Sequence, residues 1–269
     1  MLADVNGVKL AYSDSGEGSP VMVLLHGFPL NRSMWDGQFG SLRALGRVIA
    51  VDLRGFGASE GSDVEVLSMA QHADDVMALL DQLGVSEPVV VAGLSMGGYV
   101  ALAFWRKYAD RVRALVLADT RAGADTEEGR AGRLTLAGKV IEANSPAPAA
   151  DASMPRMFAP TFSLENPIAI QLRAMMTGTT PQGVAGGLHG MAARPASLDL
   201  LPGINVPTLV IVGEQDVTTP PSEAQILADG IANAKLAVIP AAGHMSNMEN
   251  PDEFNQALTS FISGLPALR

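Results

Sequence analysis

Residues 93–97 read Gly93-Leu94-Ser95-Met96-Gly97, directly after the apolar run Val89-Val90-Val91-Ala92 and ahead of a helix-compatible stretch, Gly98-Tyr99-Val100-Ala101-Leu102-Ala103-Phe104-Trp105. A serine between two glycines at this spacing, at a strand-to-helix junction, implies a very sharp turn. The turn strains its central residue and pushes the Ser95 oxygen clear of the sheet. A side chain at 93 or 97 would drive strand and helix apart. A chain built this way needs a buried strand with a helix folded straight back onto it. Five residues of this kind also recur by chance, so the rest of the chain has to supply the context.

Serine has no nucleophilicity at neutral pH unless a base takes its proton. The base in turn needs an ionised acid to orient it and to stabilise its charged form. Thr208-Leu209-Val210-Ile211-Val212-Gly213 reads as a buried strand that ends in Glu214-Gln215-Asp216. Lys235-Leu236-Ala237-Val238-Ile239-Pro240 reads as another, and the loop Ala241-Ala242-Gly243 after it presents His244. Upstream, Val21-Met22-Val23-Leu24-Leu25 runs into His26-Gly27-Phe28-Pro29. Each group sits just past the carboxyl end of a strand, where an open α/β sheet gathers its chemistry. Ser95 is the candidate nucleophile and His244 the candidate base. Asp216 fits the acid by position, with Asp119 and Glu214 as alternatives. The oxyanion formed on attack requires preorganised donors. The amide N–H groups of Met96, at a helix start, and of Phe28, in the loop after the neighbouring strand, are the candidates. His26 is read as bracing its own loop, His72 as a surface or core-margin residue, and His189 as solvated.

Strands and helices alternate along most of the chain, which predicts a mostly parallel sheet with helices on both faces. Val8–Tyr12 reads as an edge strand, Arg47–Asp52 and Val112–Asp119 as further strands, and Ser68 as the cap of a helix with apolar period through Leu83. The rhythm breaks between 122 and 200, a stretch rich in Ala, Met, Pro and Gly, with helical patches near 126–143, 164–177 and 182–193. The expected organisation is a core of residues 1–121 and 201–269 with a helical cap, residues 122–200, inserted between them. Trp35, Arg121, Met154, Met175 and Met191 are the candidate pocket residues. For any one Met, packing the cap on the core is the plainer role.

Composition narrows the partners. The 269 residues carry 28 Asp and Glu against 18 Lys and Arg, a net charge of −10. That disfavours nucleic acid, which is held by Lys and Arg, and argues against a strongly anionic substrate. There is no Cys, so there is no disulfide, no thiolate nucleophile and no Cys-ligated metal. With four His and no paired-His spacing, no metal site is expected. The first residues lack the basic and apolar regions of a signal peptide, and no apolar run is long enough to span a bilayer. A cytoplasmic protein acting on a small molecule is expected; the oligomeric state is not legible.

His26-Gly27-Phe28-Pro29, Asp52-Leu53-Arg54-Gly55-Phe56-Gly57-Ala58-Ser59, Gly93-Leu94-Ser95-Met96-Gly97-Gly98, Gly213-Glu214-Gln215-Asp216 and Gly243-His244 together resemble the capped α/β-hydrolases, over essentially the whole chain. Within that superfamily the chain looks most like bacterial carboxylesterases, with enol-lactone hydrolases and cofactor-free perhydrolases close by. Leu117-Ala118-Asp119-Thr120-Arg121-Ala122 is similar to the carboxylesterase branch. The resemblance implies Ser95, Asp216 and His244 as nucleophile, acid and base, with the amides of Phe28 and Met96 as oxyanion donors and no cofactor. The activity it implies is hydrolysis of small, mostly uncharged carboxylic esters through an acyl-enzyme. An anionic enol-lactone would need a cationic anchor from Arg121, Arg173 or Arg194. A hydrolase-fold ligand receptor is the non-catalytic alternative.

Overall fold

In a computed structural model, residues 1–61 and 65–266 are described. The strands are β1 (Leu2–Val5), β2 (Val8–Asp14), β3 (Val21–Leu25), β4 (Arg47–Val51), β5 (Val89–Leu94), β6 (Val112–Ala118), β7 (Thr208–Gly213) and β8 (Ala234–Ile239). The helices are α1 (Asp36–Leu42), α2 (Met69–Gln82), α3 (Met96–Tyr108), α4 (Glu127–Glu142), α5 (Ala147–Ser153), α6 (Pro167–Thr177), α7 (Pro181–Ala192), α8 (Pro221–Gly230), α9 (Ser246–Glu249) and α10 (Pro251–Ser263).

The strands form one sheet in the order β1-β2-β4-β3-β5-β6-β7-β8. β2 pairs antiparallel with β1 and with β4, and every pairing from β4 to β8 is parallel. β2 is therefore not the edge strand that its sequence suggests. The short β1, whose exposed Leu2 and Asp4 alternate with buried Ala3 and Val5, covers it. The central strands are continuous apolar runs because both of their faces are covered. Val21, Val23 and Leu25 of β3 face the layer of α2, α3 and α8, whereas Met22 and Leu24 face the layer of α1, α6 and α10. Burying each such side chain contributes about 2 kcal/mol.

The order places β3 beside β5 at the point where the winding reverses. The chain leaves β3 toward β4 on one side and leaves β5 toward β6 on the other. Crevices in open α/β sheets form at this switch point, beyond the carboxyl ends of the two strands. The loop His26–Pro29 and the turn at Ser95 flank it. Between β6 and β7 the chain builds α4 to α7 rather than another strand, as its broken rhythm predicts. α5 is the helix that the sequence pattern does not reveal. Ser68, Thr126, Asn166 and Thr180 cap α2, α4, α6 and α7, each side chain accepting a backbone N–H of the first turn.

Candidate active site

Ser95 occupies the turn with φ +55°, a conformation that L residues with a Cβ rarely adopt. The two flanking glycines are where the backbones meet. A Cβ on Gly93 would stand 2.1 Å from the Gly97 carbonyl oxygen, and one on Gly97 would stand 2.2 Å from that of Leu25. β3, β5 and α3 touch at this point, and no other residue leaves room. Gly213 and Gly243 do the same for the acid and His loops: a Cβ on Gly213 would lie 2.0 Å from the Gly243 carbonyl oxygen.

These contacts bring together three side chains far apart in sequence. His244 Nε2 lies 2.9 Å from Ser95 Oγ, and His244 Nδ1 lies 2.8 Å from Asp216 Oδ2. Asp216 is fixed by an Asx-type turn. The Thr218 and Thr219 amides donate to its Oδ1 at 2.7 and 2.9 Å, and the Thr219 hydroxyl donates to Oδ2 at 2.8 Å. Burial opposes ionisation of Asp216, but the charge and hydrogen bond of His244, with the Thr219 donors, hold it below the ordinary carboxylate range. With an ionised partner on Nδ1, the imidazole keeps its proton there and turns the free lone pair of Nε2 toward Ser95.

Asp119 and Glu214 do not reach His244. Asp119 ends β6 at φ +45°, accepts the Gly213 amide at 2.8 Å, and accepts the Ser246 hydroxyl. Complete burial and the nearby Asp216 carboxylate push its pKa well above the ordinary value. Glu214 accepts the Ala241 amide at 3.0 Å near the surface.

Met96 is the first residue of α3, so its N–H has no acceptor within the helix. The Phe28 N–H, across the crevice, has no protein acceptor among the described residues. His26 holds the Phe28 loop in place. Its Nδ1 donates to the Gly27 carbonyl at 2.8 Å, and its Nε2 accepts the Leu53 amide at 3.0 Å. Burial lowers its pKa, which suits this neutral role. Asp52 ties the neighbouring loops by accepting the Arg32 amide at 2.7 Å and the Ala58 amide at 2.8 Å.

Ser95 and His244 lie in a cleft of about 450 Å³. Its core side is Phe28, Tyr99 and Thr219. Its roof comes from α4, the segment after α5, and α7, through Arg133, Leu136, Arg156, Met157, Leu188 and Met191. Of the candidate pocket residues, Arg121 and Met191 line this cleft. Trp35, Met154 and Met175 do not. Trp35 is 1% exposed and packs near Phe254 under α10. Met154 and Met175 fill gaps in the same layer, Met175 Sδ accepting the Ser33 hydroxyl at 3.5 Å. Arg173 points away and pairs with Asp151. His72 is also a correction: it is fully buried beside Phe56, with neither ring nitrogen partnered among the described residues.

Tyr99, Asp125, Arg133 and Arg156 are cleft residues that the sequence reading did not single out. Asp125 pairs with Arg121 at 2.6 Å, Arg133 at 2.6 Å and Arg194 at 2.9 Å. These guanidiniums outweigh its burial and hold it down at about 2. The cleft is therefore locally cationic although the whole chain carries −10. No signal in the sequence pairs these residues, because they come together only when α4 and α7 fold over the crevice. Thr219 was findable, since an Asp followed two and three residues later by threonines suits an Asx turn. Among the described residues, no three His, Asp or Glu side chains gather as metal ligands, and no helix is long and apolar enough to cross a membrane.

Known proteins share this frame. A thermophilic esterase from Thermogutta terrifontis, solved with malate bound, is 39% identical and superposes with a TM-score of 0.93 over 99% of both chains. The enol-lactonase from Burkholderia xenovorans LB400 is 31% identical, with a TM-score of 0.89 over 98% of this chain and 100% of its own. The 3-oxoadipate enol-lactonase 1 of Acinetobacter baylyi is 28% identical over 98% of this chain and 97% of its own. A family model for the alpha/beta hydrolase fold matches residues 20–251, which hold the Ser95 turn, the Asp216 loop and His244 alike. The chain belongs to the α/β-hydrolase family.

Proposed function

We propose that the protein is a serine carboxylesterase that hydrolyses small carboxylic esters through an acyl-enzyme. The observation that carries this is the unbroken hydrogen-bonded line from Ser95 Oγ through His244 to Asp216 on the floor of the cleft. His244 Nε2 takes the Ser95 proton as Oγ attacks the ester carbonyl. Asp216 stabilises the imidazolium that results. The amides of Met96 and Phe28 receive the oxyanion, the first aided by the positive end of α3. The imidazolium then returns its proton to the departing alcohol. Water, activated by His244 in the same way, releases the acid.

Phe28, Leu136, Leu188 and Met191 give the cleft apolar walls suited to a short acyl or alkoxy group. Helices α4 to α7, within the proposed cap of residues 122–200, act as the lid that shields the acyl-enzyme. Turnover of p-nitrophenyl butyrate by wild type and by Ser95→Ala tests the reading. The variant should fold normally and lose about 10⁴–10⁶-fold in rate. A folded Ala variant with a tenth of wild-type activity defeats it.

One observation favours a second reading, an enol-lactone hydrolase. Arg121, Arg133 and Arg156 face the cleft against the single Asp125 carboxylate, the kind of surplus that holds a substrate carboxylate. Neutral and carboxylate-bearing esters of equal length separate the two. A kcat/KM at least about tenfold higher for the charged ester, abolished in Arg156→Gln, assigns the second.

A further inference from the structure

We propose that a second cavity, sharing one wall with the cleft, is a binding site for a small apolar carboxylate. It holds about 310 Å³ between the start of α2, the outer face of α3 and the end of α7. That is the lower end of ligand-pocket volumes, roughly 300–1,000 Å³, and fits a short chain or one ring. The floor is apolar: Met69, Tyr99 and Leu102 are each at most 7% exposed. Tyr99 and Arg121 line both cavities and form the shared wall, and Arg194 stacks 4.0 Å from the centre of the Tyr99 ring.

The charge around this cavity names its occupant. Four lining residues, Arg106, Lys107, Arg121 and Arg194, are cationic, and none is acidic. At the mouth the charges are matched: Arg106 makes two 2.9 Å bonds to Asp199, and Lys107 pairs with Asp74. In the wall they are not. Arg121 and Arg194 share Asp125 with Arg133, so three guanidiniums meet one carboxylate. A guanidinium takes a carboxylate oxygen best. An apolar floor under a wall in which three guanidiniums share one carboxylate fits an amphipathic acid better than a neutral molecule or a multiply charged one. Because Arg121 is common to both cavities, an occupant here changes the field over Ser95 without occupying the cleft.

Hexanoate and hexanol are the probes, titrated calorimetrically into the full chain. Two plugs close the cavity from different helices: Ala103→Trp on α3 and Ala193→Phe after α7, neither residue lining the cleft. Hexanoate should bind wild type at least about tenfold tighter than hexanol, the worth of one charge-assisted hydrogen bond. Both plugs should weaken hexanoate binding by about tenfold or more while kcat/KM for a neutral ester stays near wild type. Hexanoate inhibition of wild type should contain a noncompetitive part that both plugs remove. No binding to wild type, equal binding of hexanol, or undiminished binding in both plugs overturns the site. If Ala103→Trp fails to fold, the exposed Ala193 position still decides. The calorimetry does not depend on the ester reading, so absence of ester turnover leaves this test intact.

Discussion

Two buried aspartates lie close enough to perturb each other, yet only one touches His244, so replacing each by asparagine gives opposite outcomes. In Asp216→Asn the acceptor Oδ2, which receives both His244 Nδ1–H and the Thr219 hydroxyl, gives way to an amide for which either orientation is wrong. With the amide nitrogen toward the ring, Nδ1 must accept and Nε2 must carry the proton, which then points at Ser95 and blocks its activation. With the amide oxygen toward the ring, the nitrogen faces the Thr218 and Thr219 amides, donor against donor. Both arrangements also lose the charge that stabilises imidazolium. The expected loss is about 10⁴ in kcat, or about 5.5 kcal/mol of transition-state stabilisation.

Asp119→Asn is the contrast. Burial and Asp216 already push the Asp119 carboxyl toward its neutral form, which an amide copies. The amide oxygen still accepts the Gly213 N–H, and the NH₂ donates to Ser246 Oγ once that hydroxyl turns. The cost should stay within about tenfold in kcat, and stability should change by no more than about 1 kcal/mol. Both variants are assayed on one short-chain p-nitrophenyl ester, with folding followed by circular dichroism and KM recorded separately. A crippled Asp119→Asn beside a nearly normal Asp216→Asn would refute the assignment of the acid and move it to the end of β6.

Other outcomes follow from packing and burial. Gly97→Ala sets a Cβ 2.2 Å from the Leu25 carbonyl oxygen and should cost about 3 kcal/mol or more, seen as a melting temperature lowered by about 8 °C; a shift within 2 °C would show the junction to be looser than drawn. Gly138→Ala, exposed inside α4 with nothing within 4 Å of the new methyl, should stabilise by about 0.5–1 kcal/mol in urea unfolding, and a destabilised variant would refute the assignment of 138 to helix interior. His72, lowered to about 3 by burial, binds its proton more weakly folded than unfolded, so stability should fall as pH drops from about 6.5 toward 3, by up to about 1.4 kcal/mol per unit. His72→Leu should flatten that acid limb in urea titrations at pH 7, 6 and 5, and an unchanged limb would place the acid sensitivity elsewhere.

The fold was legible wherever one residue carried a local steric demand. Gly93 and Gly97 were legible in this way, and Gly213 and Gly243, read from the sequence only as members of motifs, likewise mark places where two backbones come closer than a Cβ permits. Those contacts define the turns that hold Ser95, Asp216 and His244, so reading the glycines amounts to reading the layout of the crevice. The strands were legible because burial on both faces leaves no polar alternation. β1 was missed for the opposite reason: four residues, half of them exposed, give too short a pattern. α5 was missed because its alanines and proline carry no amphipathic period.

The lining of the cleft was not legible, and the physics of its residues explains why. Met154, Met175 and Met191 have the same chemistry, yet only Met191 meets the cleft. Which side a methionine takes depends on how α6 and α7 are rolled over the sheet, a property of their packing rather than of the residue. The arginines invert the problem. A net charge of −10 argues against anions, but a bound molecule feels chiefly the field of the groups within about a Debye length, roughly 8 Å, and much less of the sum over the surface. Arg121, Arg133 and Arg194 are spread over 74 residues of sequence and converge on Asp125 because α4 and the end of α7 pack together there. The motif residues hold the chemistry that such a fold can perform, whereas the residues folded over them set the local charge of the cleft. For this chain the charge around the cleft is opposite in sign to the composition, and it is the local charge that a bound molecule meets.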